Sequence, residues 1–232
     1  MQQKMPHPEP ERLNRQRGGM FITFEGPDAA GKSTQARMLA DVLHEAGYTV
    51  HLTREPGGTR LGEALRDLVK GLKTEDPLVP EAELLLFGAS RAQLVRRVIE
   101  PRLKKGEIVI CDRFSDSTTV YQGIVQNIDL SFIRQMHDFT NQSTEPDLTI
   151  LLDVTVATSF ERCEGRNIEQ KTQADRFEAE SSRFHENVRQ GFLQLARQEP
   201  GRINIVDGDA SPESIHAHIK ELVSKHGLES IQ

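Results

Sequence analysis

The sequence predicts an α/β fold, a mostly parallel five-stranded sheet flanked by helices, of the kind that carries a phosphate-binding loop after its first strand. Three observations predict it. Short apolar runs alternate with segments of helical period along 232 residues, the order that builds strand–helix–strand units. The first such run leads into the turn Gly26-Pro27-Asp28-Ala29-Ala30-Gly31-Lys32-Ser33 and from there straight into helical spacing. The length also suits one domain with a five- or six-element core.

The elements follow in order. Residues 1–17 carry Pro and charge but no apolar stretch, so they are expected to be a disordered leader rather than a secretory signal, with 18–232 forming the single domain. The first strand is expected at 20–25. After it Ala36, Leu39, Val42, Leu43 and Ala46 recur at helical spacing, and Gly47 supplies a stop. Further strands are expected at 48–53, 107–111, 147–152 and 202–206, with helices between them. The helical stretch 81–105 is long for one helix, and Pro101 predicts a kink or an end near it. The run CEGRNIEQKTQAD, from Cys163 to Asp175, is almost wholly polar and reads as a mobile lid over about 163–176. Ser211 before Pro212 predicts the N-cap of a last helix.

Composition narrows the function classes. With 36% hydrophobic and 28% charged residues, the chain has a soluble globular composition, and no apolar run is long enough to span a bilayer. A formal net charge of −6 argues against a general nucleic-acid binder, so any phosphate site must be locally basic. Cys111 and Cys163 read as packing residues in a reducing compartment, and the eight histidines show no metal spacing. A cytoplasmic location is expected.

The turn after the first strand has a definite chemistry. Glycines let the backbone wrap a phosphate closely, while N–H groups at a helix start supply donors where the helix dipole is positive. Lys32 brings a cation to the β- and γ-phosphates of ATP, and Ser33 offers a hydroxyl to Mg²⁺. The residues expected around the donor are Gly26, Pro27, Asp28, Ala29, Ala30, Gly31, Lys32, Ser33 and Thr34. Such a loop also serves GTPase switches and motor ATPases. The chain lacks the Asn-Lys-x-Asp segment of a guanine-specific switch, and a mechanical ATPase needs more chain. A compact kinase remains.

Bringing two polyanions together demands concentrated positive charge. Arg54-Glu55-Pro56-Gly57-Gly58-Thr59 follows the second strand, and Asp112-Arg113 ends the third. Both therefore fall at the carboxyl edge of the sheet, where ligands of open α/β folds collect. Asp112, after four apolar residues, is placed to hold Mg²⁺ with Ser33. The competing readings are a plain turn for the first motif and a surface pair for the second.

Three segments, FEGPDAAGKSTQ, REPGGT and ICDRFSDSTTVYQG, occur here in an order and spacing that resemble the bacterial thymidylate kinases, over nearly all of 20–226. The resemblance implies a nucleoside monophosphate kinase fold, ATP with Mg²⁺ as donor, thymidine monophosphate as acceptor, and a homodimer. It sets Asp28 near the acceptor phosphate or sugar and gives Arg54 and Arg113 the grip on that phosphate. It also implies that Phe87 stacks on thymine while Arg91, four residues on, donates to a base carbonyl. The bland reading of that pair is a core phenylalanine and an exposed helix charge. By the same likeness Thr118 contacts the base, and Tyr121 crowds the sugar 2′-carbon so that a ribose hydroxyl finds neither room nor partner.

The stretch Glu161-Arg162-Cys163-Glu164-Gly165-Arg166 resembles the arginine-bearing lid entrance of nucleoside monophosphate kinases, a resemblance that implies Arg162 stacked on adenine and Arg166 reaching the transferring phosphoryl group. Because no Lys or Arg occupies Pro27 to Ala30, that cation must come from elsewhere, and Arg166 is preferred to Arg162, Lys171 and Arg176. Catalysis is thus expected of Lys32, Arg113, Arg166 and Asp28. The chain departs from the family where Phe114 follows the Asp-Arg pair in place of a tyrosine or histidine. Two other readings stay open: a kinase for another nucleotide or small molecule, and a non-catalytic nucleotide-binding protein.

Overall fold

A computed structural model describes residues 18–71, 78–171 and 174–228; the leader 1–17 lies outside them. Five strands, β1 (Phe21–Glu25), β2 (Val50–Arg54), β3 (Ile108–Asp112), β4 (Leu148–Asp153) and β5 (Ile203–Asp207), form one sheet in the order β2-β3-β1-β4-β5, every pairing parallel. All five lie within two residues of their expected ends. Both faces of β1 are covered, which is why FITFE reads as a near-continuous apolar run rather than an alternating one.

Helices α1 (Lys32–Glu45) and α9 (Pro212–Lys225) cover one face. Ile22, Phe24, Ile110, Ile150 and Leu152 pack there against Leu39, Leu43, Ile215 and Ile219. The opposite face is shared. Phe21, Val109 and Cys111 meet Leu94, Ile99 and Phe114, while Leu151 meets Val120, Val188 and Phe192. Side chains on these strands alternate between two helical layers, so the register set by Phe21↔Val109 and Ile22↔Leu148 decides which core each joins. Cys111 is wholly buried and Cys163 nearly so, both free thiols in packing positions.

The long segment after residue 80 resolves its proline in a particular way. Helix α3 (Pro80–Leu94) passes into a π-helical turn, Val95–Ile99, and then α4 (Glu100–Leu103). Pro101 falls in the first turn of α4, and the wider π turn precedes it where a regular ladder would meet the ring. The helix therefore changes its winding before the proline.

The remaining helices are α2 (Arg60–Gly71), α5 (Ser115–Thr118), α6 (Leu130–Asn141), α7 (Val156–Gln170) and α8 (Ser182–Gln198), with a second π segment at Thr119–Val125. The lid reading requires correction here, because α7 runs on through Gln170 and takes in the first eight residues of the stretch expected to be loop. Polarity misled: Glu164, Gly165, Asn167 and Glu169 lie on an exposed or half-exposed helical face, and Glu, Arg and Gln are sound helix formers. Lys171 closes α7 in the left-handed conformation with φ 52°, and 174–181 form the non-helical part, 172–173 lying outside the described residues. Ser211 caps α9, accepting from the Ser214 N–H at 3.2 Å, with Pro212 in the first turn.

Candidate active site

The strand order reverses about β1, and the carboxyl ends of β1, β2 and β3 open onto one cavity of about 670 Å³. This is where open α/β sheets collect ligands. Its phosphate end is built by the β1–α1 turn. Gly26 has φ 136°, and a Cβ there would stand 2.3 Å from the Leu152 carbonyl oxygen; only glycine lets the turn pass so close to β4. Gly31 has open space but φ 93°, so conformation rather than room selects it as the entry to α1.

Residues Asp28, Ala29, Ala30, Gly31, Lys32, Ser33 and Thr34 line the cavity. Gly26 and Pro27 stand behind it, and their carbonyls accept from Lys32 Nζ at 3.1 and 2.5 Å. Burial brings the Lys32 ammonium down to about 8, with Arg113 adding to the effect, against Asp112, Asp28 and Glu25. Burial would raise the Asp28 carboxyl, but Arg113 and Lys32 beside it hold it at about 2.

Ser33 Oγ donates to Asp112 Oδ2. The two oxygen donors expected at Mg²⁺ therefore meet, although they are 79 residues apart. A hydroxyl and a carboxylate are hard ligands suited to an ion that keeps several waters and binds phosphate oxygens for the rest. Among the described residues no cluster of three or more His, Cys, Asp or Glu could hold a metal by itself.

Arg113 lines the cavity between the phosphate loop and its aromatic end. It sits beyond β3 at φ 70°, a costly backbone for a residue with a Cβ. Glu25, the buried last residue of β1, holds the turn: Oε1 accepts from the Phe114 N–H at 2.8 Å and Oε2 from Ser117 Oγ at 2.6 Å. The guanidinium then donates to Gly26 O at 3.0 Å, Ser117 Oγ at 3.0 Å and Asp28 Oδ1 at 2.6 Å. It lies 5.4 Å from the Tyr121 ring centroid, joining the phosphate loop to the aromatic end of the cavity. Phe114 is core, packed edge-on to Phe21 at 5.0 Å, so an apolar ring serves at that position.

Phe87, Thr118 and Tyr121 line the other end. Arg91 is not among the lining residues, and its burial corrects the reading of it as an exposed helix charge. It is 0% exposed, its Nε donating to both Glu55 oxygens at 2.8 and 3.0 Å and its Nη2 to Glu55 Oε1 at 2.5 Å and Thr118 Oγ1 at 2.5 Å. The arginine thus stands behind Thr118, neither an exposed charge nor in the cavity wall.

Arg54 lines the cavity and is bound to Glu63 at 2.7 Å. Arg162 and Arg166 line it from α7, one turn apart on one face. The start of α7 is pinned to the phosphate loop by Ser159 Oγ donating to the Asp28 carbonyl at 2.7 Å. Arg162 donates to Gly208 O at 3.0 Å, and Arg166 to Glu178 Oε1 at 2.5 Å. A second correction follows: Arg166 is carried by a helix, not by a loop.

A profile of the thymidylate kinase family matches residues 24–219. The chain is 42% identical over 209 residues to the thymidylate kinase of Trichormus variabilis, covering 90% of this chain and 97% of that one. It is 44% identical over 206 residues to the thymidylate kinase of Geobacter sulfurreducens, covering 88% and 96%. The crystal structure of thymidylate kinase from Ehrlichia chaffeensis superposes with a TM-score of 0.70 at 36% identity, over 89% of this chain and 99% of the other. The chain belongs to the thymidylate kinase family.

Several residues of this thymidylate kinase site escaped sequence reasoning. Glu55 looked like a turn residue, yet it is buried beside Arg91. Glu25 shapes the Arg113 turn from a strand end. Phe177, in the run Asp175-Arg176-Phe177-Glu178, joins the aromatic wall, its ring 6.4 Å from Phe87 and 6.0 Å from Tyr121. Arg66 and Lys70 of α2 add cationic lining, Lys70 bound to Asp175 at 2.7 Å. Charged residues within a run such as Asp175–Glu178 were the one available signal.

Proposed function

We propose that this chain transfers the γ-phosphoryl group of ATP to thymidine monophosphate, giving the diphosphate on the route to thymidine triphosphate. One observation carries the reading: a single cavity joins a Lys32/Ser33 phosphate loop to a Phe87/Thr118/Tyr121 pocket, with Arg113 bonded toward both. Residues 26–34 wrap the donor phosphates, and Lys32 exchanges its carbonyl partners for phosphate oxygens. Ser33 and Asp112 hold Mg²⁺, which when bound neutralises charge on the transferring group. Arg113 and Arg54 orient the acceptor phosphate, and Asp28 holds Arg113 in plane. Arg166 leaves Glu178 to meet the charge that grows on the transferring group, while Arg162 covers adenine.

At the base, Phe87 stacks and Thr118 faces the ring edge. Because Arg91 only donates, it occupies a lone pair of Thr118 Oγ1 and leaves the Thr118 proton for a thymine carbonyl. Tyr121 fills the space where a ribose hydroxyl would stand.

The enzyme works as a cytoplasmic homodimer. Leu61 and Leu68 of α2, Leu85 of α3, and Phe132 and Phe139 of α6 are exposed on three neighbouring helices, Phe139 at 76%, an apolar face that a second copy would cover. No helix among the described residues is long and apolar enough to cross a membrane. A panel of nucleoside monophosphates with Mg²⁺ and ATP tests the reading: thymidine monophosphate should give the highest kcat/KM, and a higher value for adenosine, guanosine or cytidine monophosphate would refute it.

A further inference from the structure

The base-reading pair Arg91–Thr118 has a third support outside the cavity. His137 projects from α6, and its Nδ1 lies 2.9 Å from Arg91 Nη1, while its Nε2 lies 3.1 Å from Thr119 Oγ1. Hydrogen positions follow from the partners. Arginine can only donate, so Nδ1 must be the unprotonated nitrogen, and the ring proton then sits on Nε2 and points at Thr119. The Thr119 hydroxyl passes its own proton on to the Ser115 carbonyl at 3.3 Å. Each link of this chain has one donor and one acceptor, and the chain runs one way from α3 through α6 to the π segment and α5.

We propose that His137 is a positioning residue for thymidine monophosphate: as the Nε2–H tautomer it fixes the plane of the Arg91 guanidinium, and through it the direction of the Thr118 hydroxyl. The inference rests on the reading that Thr118, backed by Arg91, addresses the base. A bidentate carboxylate leaves a guanidinium free to pivot about the axis joining the pair; a third contact, on Nη1, removes that freedom. Glu55 supplies the first constraint from β2's end, Thr118 is the group to be aimed, and His137 closes the triangle. Burial, and then the Arg91 charge, hold the imidazole at about 3, so it stays a neutral acceptor at any pH at which the enzyme is assayed.

The test is steady-state kinetics of the full chain with Mg²⁺–ATP and thymidine monophosphate on four single variants and one double. Thr118→Val should raise the acceptor KM, and an unchanged value overturns the base reading itself. His137→Leu should raise that KM about tenfold, the factor expected of one lost hydrogen bond to a charged group, with kcat and the KM for ATP unchanged. His137→Asn, whose amide oxygen can stand where Nδ1 stands, should restore the wild-type KM. The double variant Thr118→Val/His137→Leu should bind the acceptor no worse than Thr118→Val alone, since both act on one hydroxyl. If Thr118→Val raises KM while His137→Leu leaves it unchanged, or if the two effects multiply, His137 does not act through the pair. A loss of kcat and of both affinities together, or no rescue by asparagine, would mark the histidine as packing only. Should the leucine variant fail to fold, Thr119→Val decides: a severalfold rise in acceptor KM at constant kcat supports the relay, and an unchanged KM overturns it.

Discussion

Removal of the Glu55 side chain breaks the most deeply buried ion pair among the described residues. Arg91 and Glu55 have side chains 0% and 3% exposed, so each is desolvated and depends on the other. Burial pushes the Glu55 carboxyl above its usual range even with Arg91 beside it, a measure of how dry the location is. In Glu55→Ala the guanidinium keeps Thr118, His137 and the face of Phe114, whose centroid is 5.5 Å from Cζ. These are neutral partners that cannot offset a full charge. A unit pair about 4 Å apart at an effective dielectric of about 20 is worth about 4 kcal/mol, and breaking one side of a buried pair costs about 3–5 kcal/mol. The expected result is a loss of that size in urea unfolding, with Tm falling by about 6–20 °C for a domain of this length. Glu63→Ala is the internal control: its pair with Arg54 is 41% and 51% exposed, and its loss should cost under about 1 kcal/mol. Equal, small losses in the two variants would refute the argument that burial, rather than the ion pair as such, sets the energy.

Three further outcomes follow from the site. Lys32, lowered to about 8 before substrate binds, should lose its proton above that pH, so kcat/KM for ATP should fall above about 8 while kcat holds to higher pH because bound phosphates restore the charge; a flat kcat/KM up to pH 9.5 contradicts this. Arg166→Ala should lower kcat about a hundredfold or more and change equilibrium ATP affinity little, because its contact strengthens in the transition state; collapse of affinity with turnover kept would make it a ground-state binding residue. Tyr121→Ala should raise the relative kcat/KM for ribonucleotides, and an unaltered ribose-to-deoxyribose ratio would remove Tyr121 from sugar selection.

What the sequence made legible is what short-range spacing encodes. Gly26, Gly31, Lys32 and Ser33 occupy fixed offsets because one turn of backbone must wrap a phosphate, and the apolar runs mark strands covered on both faces. Even the Ser33–Asp112 contact was readable, since both residues end or follow strands that parallel pairing brings to one edge. Burial of a charge was not. Nothing local to Glu55 says that a residue 36 positions away will meet it inside the protein, and the two readings of Arg91, a base contact or an exposed helix charge, both left its buried carboxylate partner out for the same reason. His137 is a further case, visible only once α6 is packed on α3. The course of α7 through Gln170 was hidden by polarity, because a helix that shows most of its surface to solvent has no apolar stripe to announce it.

The site's cations also differ in what they can give up, and this orders their roles. In a chain of net charge −6, Arg54, Arg91, Arg113, Arg166 and Lys70 each have a carboxylate partner, namely Glu63, Glu55, Asp28, Glu178 and Asp175. A phosphate group entering the cavity must compete with these pairs. At the Arg54–Glu63 pair, 51% and 41% exposed, water can solvate the released carboxylate and the exchange costs little; Glu178 is only 10% exposed, so if Arg166 leaves it, the carboxylate keeps the Asn167 amide as donor at 3.2 Å. Arg113, at 17%, does better to keep Asp28 and reach a phosphate with its remaining donors, which makes Asp28 a fixed part of the grip. Arg91 cannot exchange at all, since freeing Glu55 would strand a dry carboxylate. On the proposed reading, Arg54, whose pair is exposed on both sides, is the cation that turns most readily toward a nucleotide phosphate, and the buried Arg91–Glu55 pair is the fixed reference against which Thr118 is aimed.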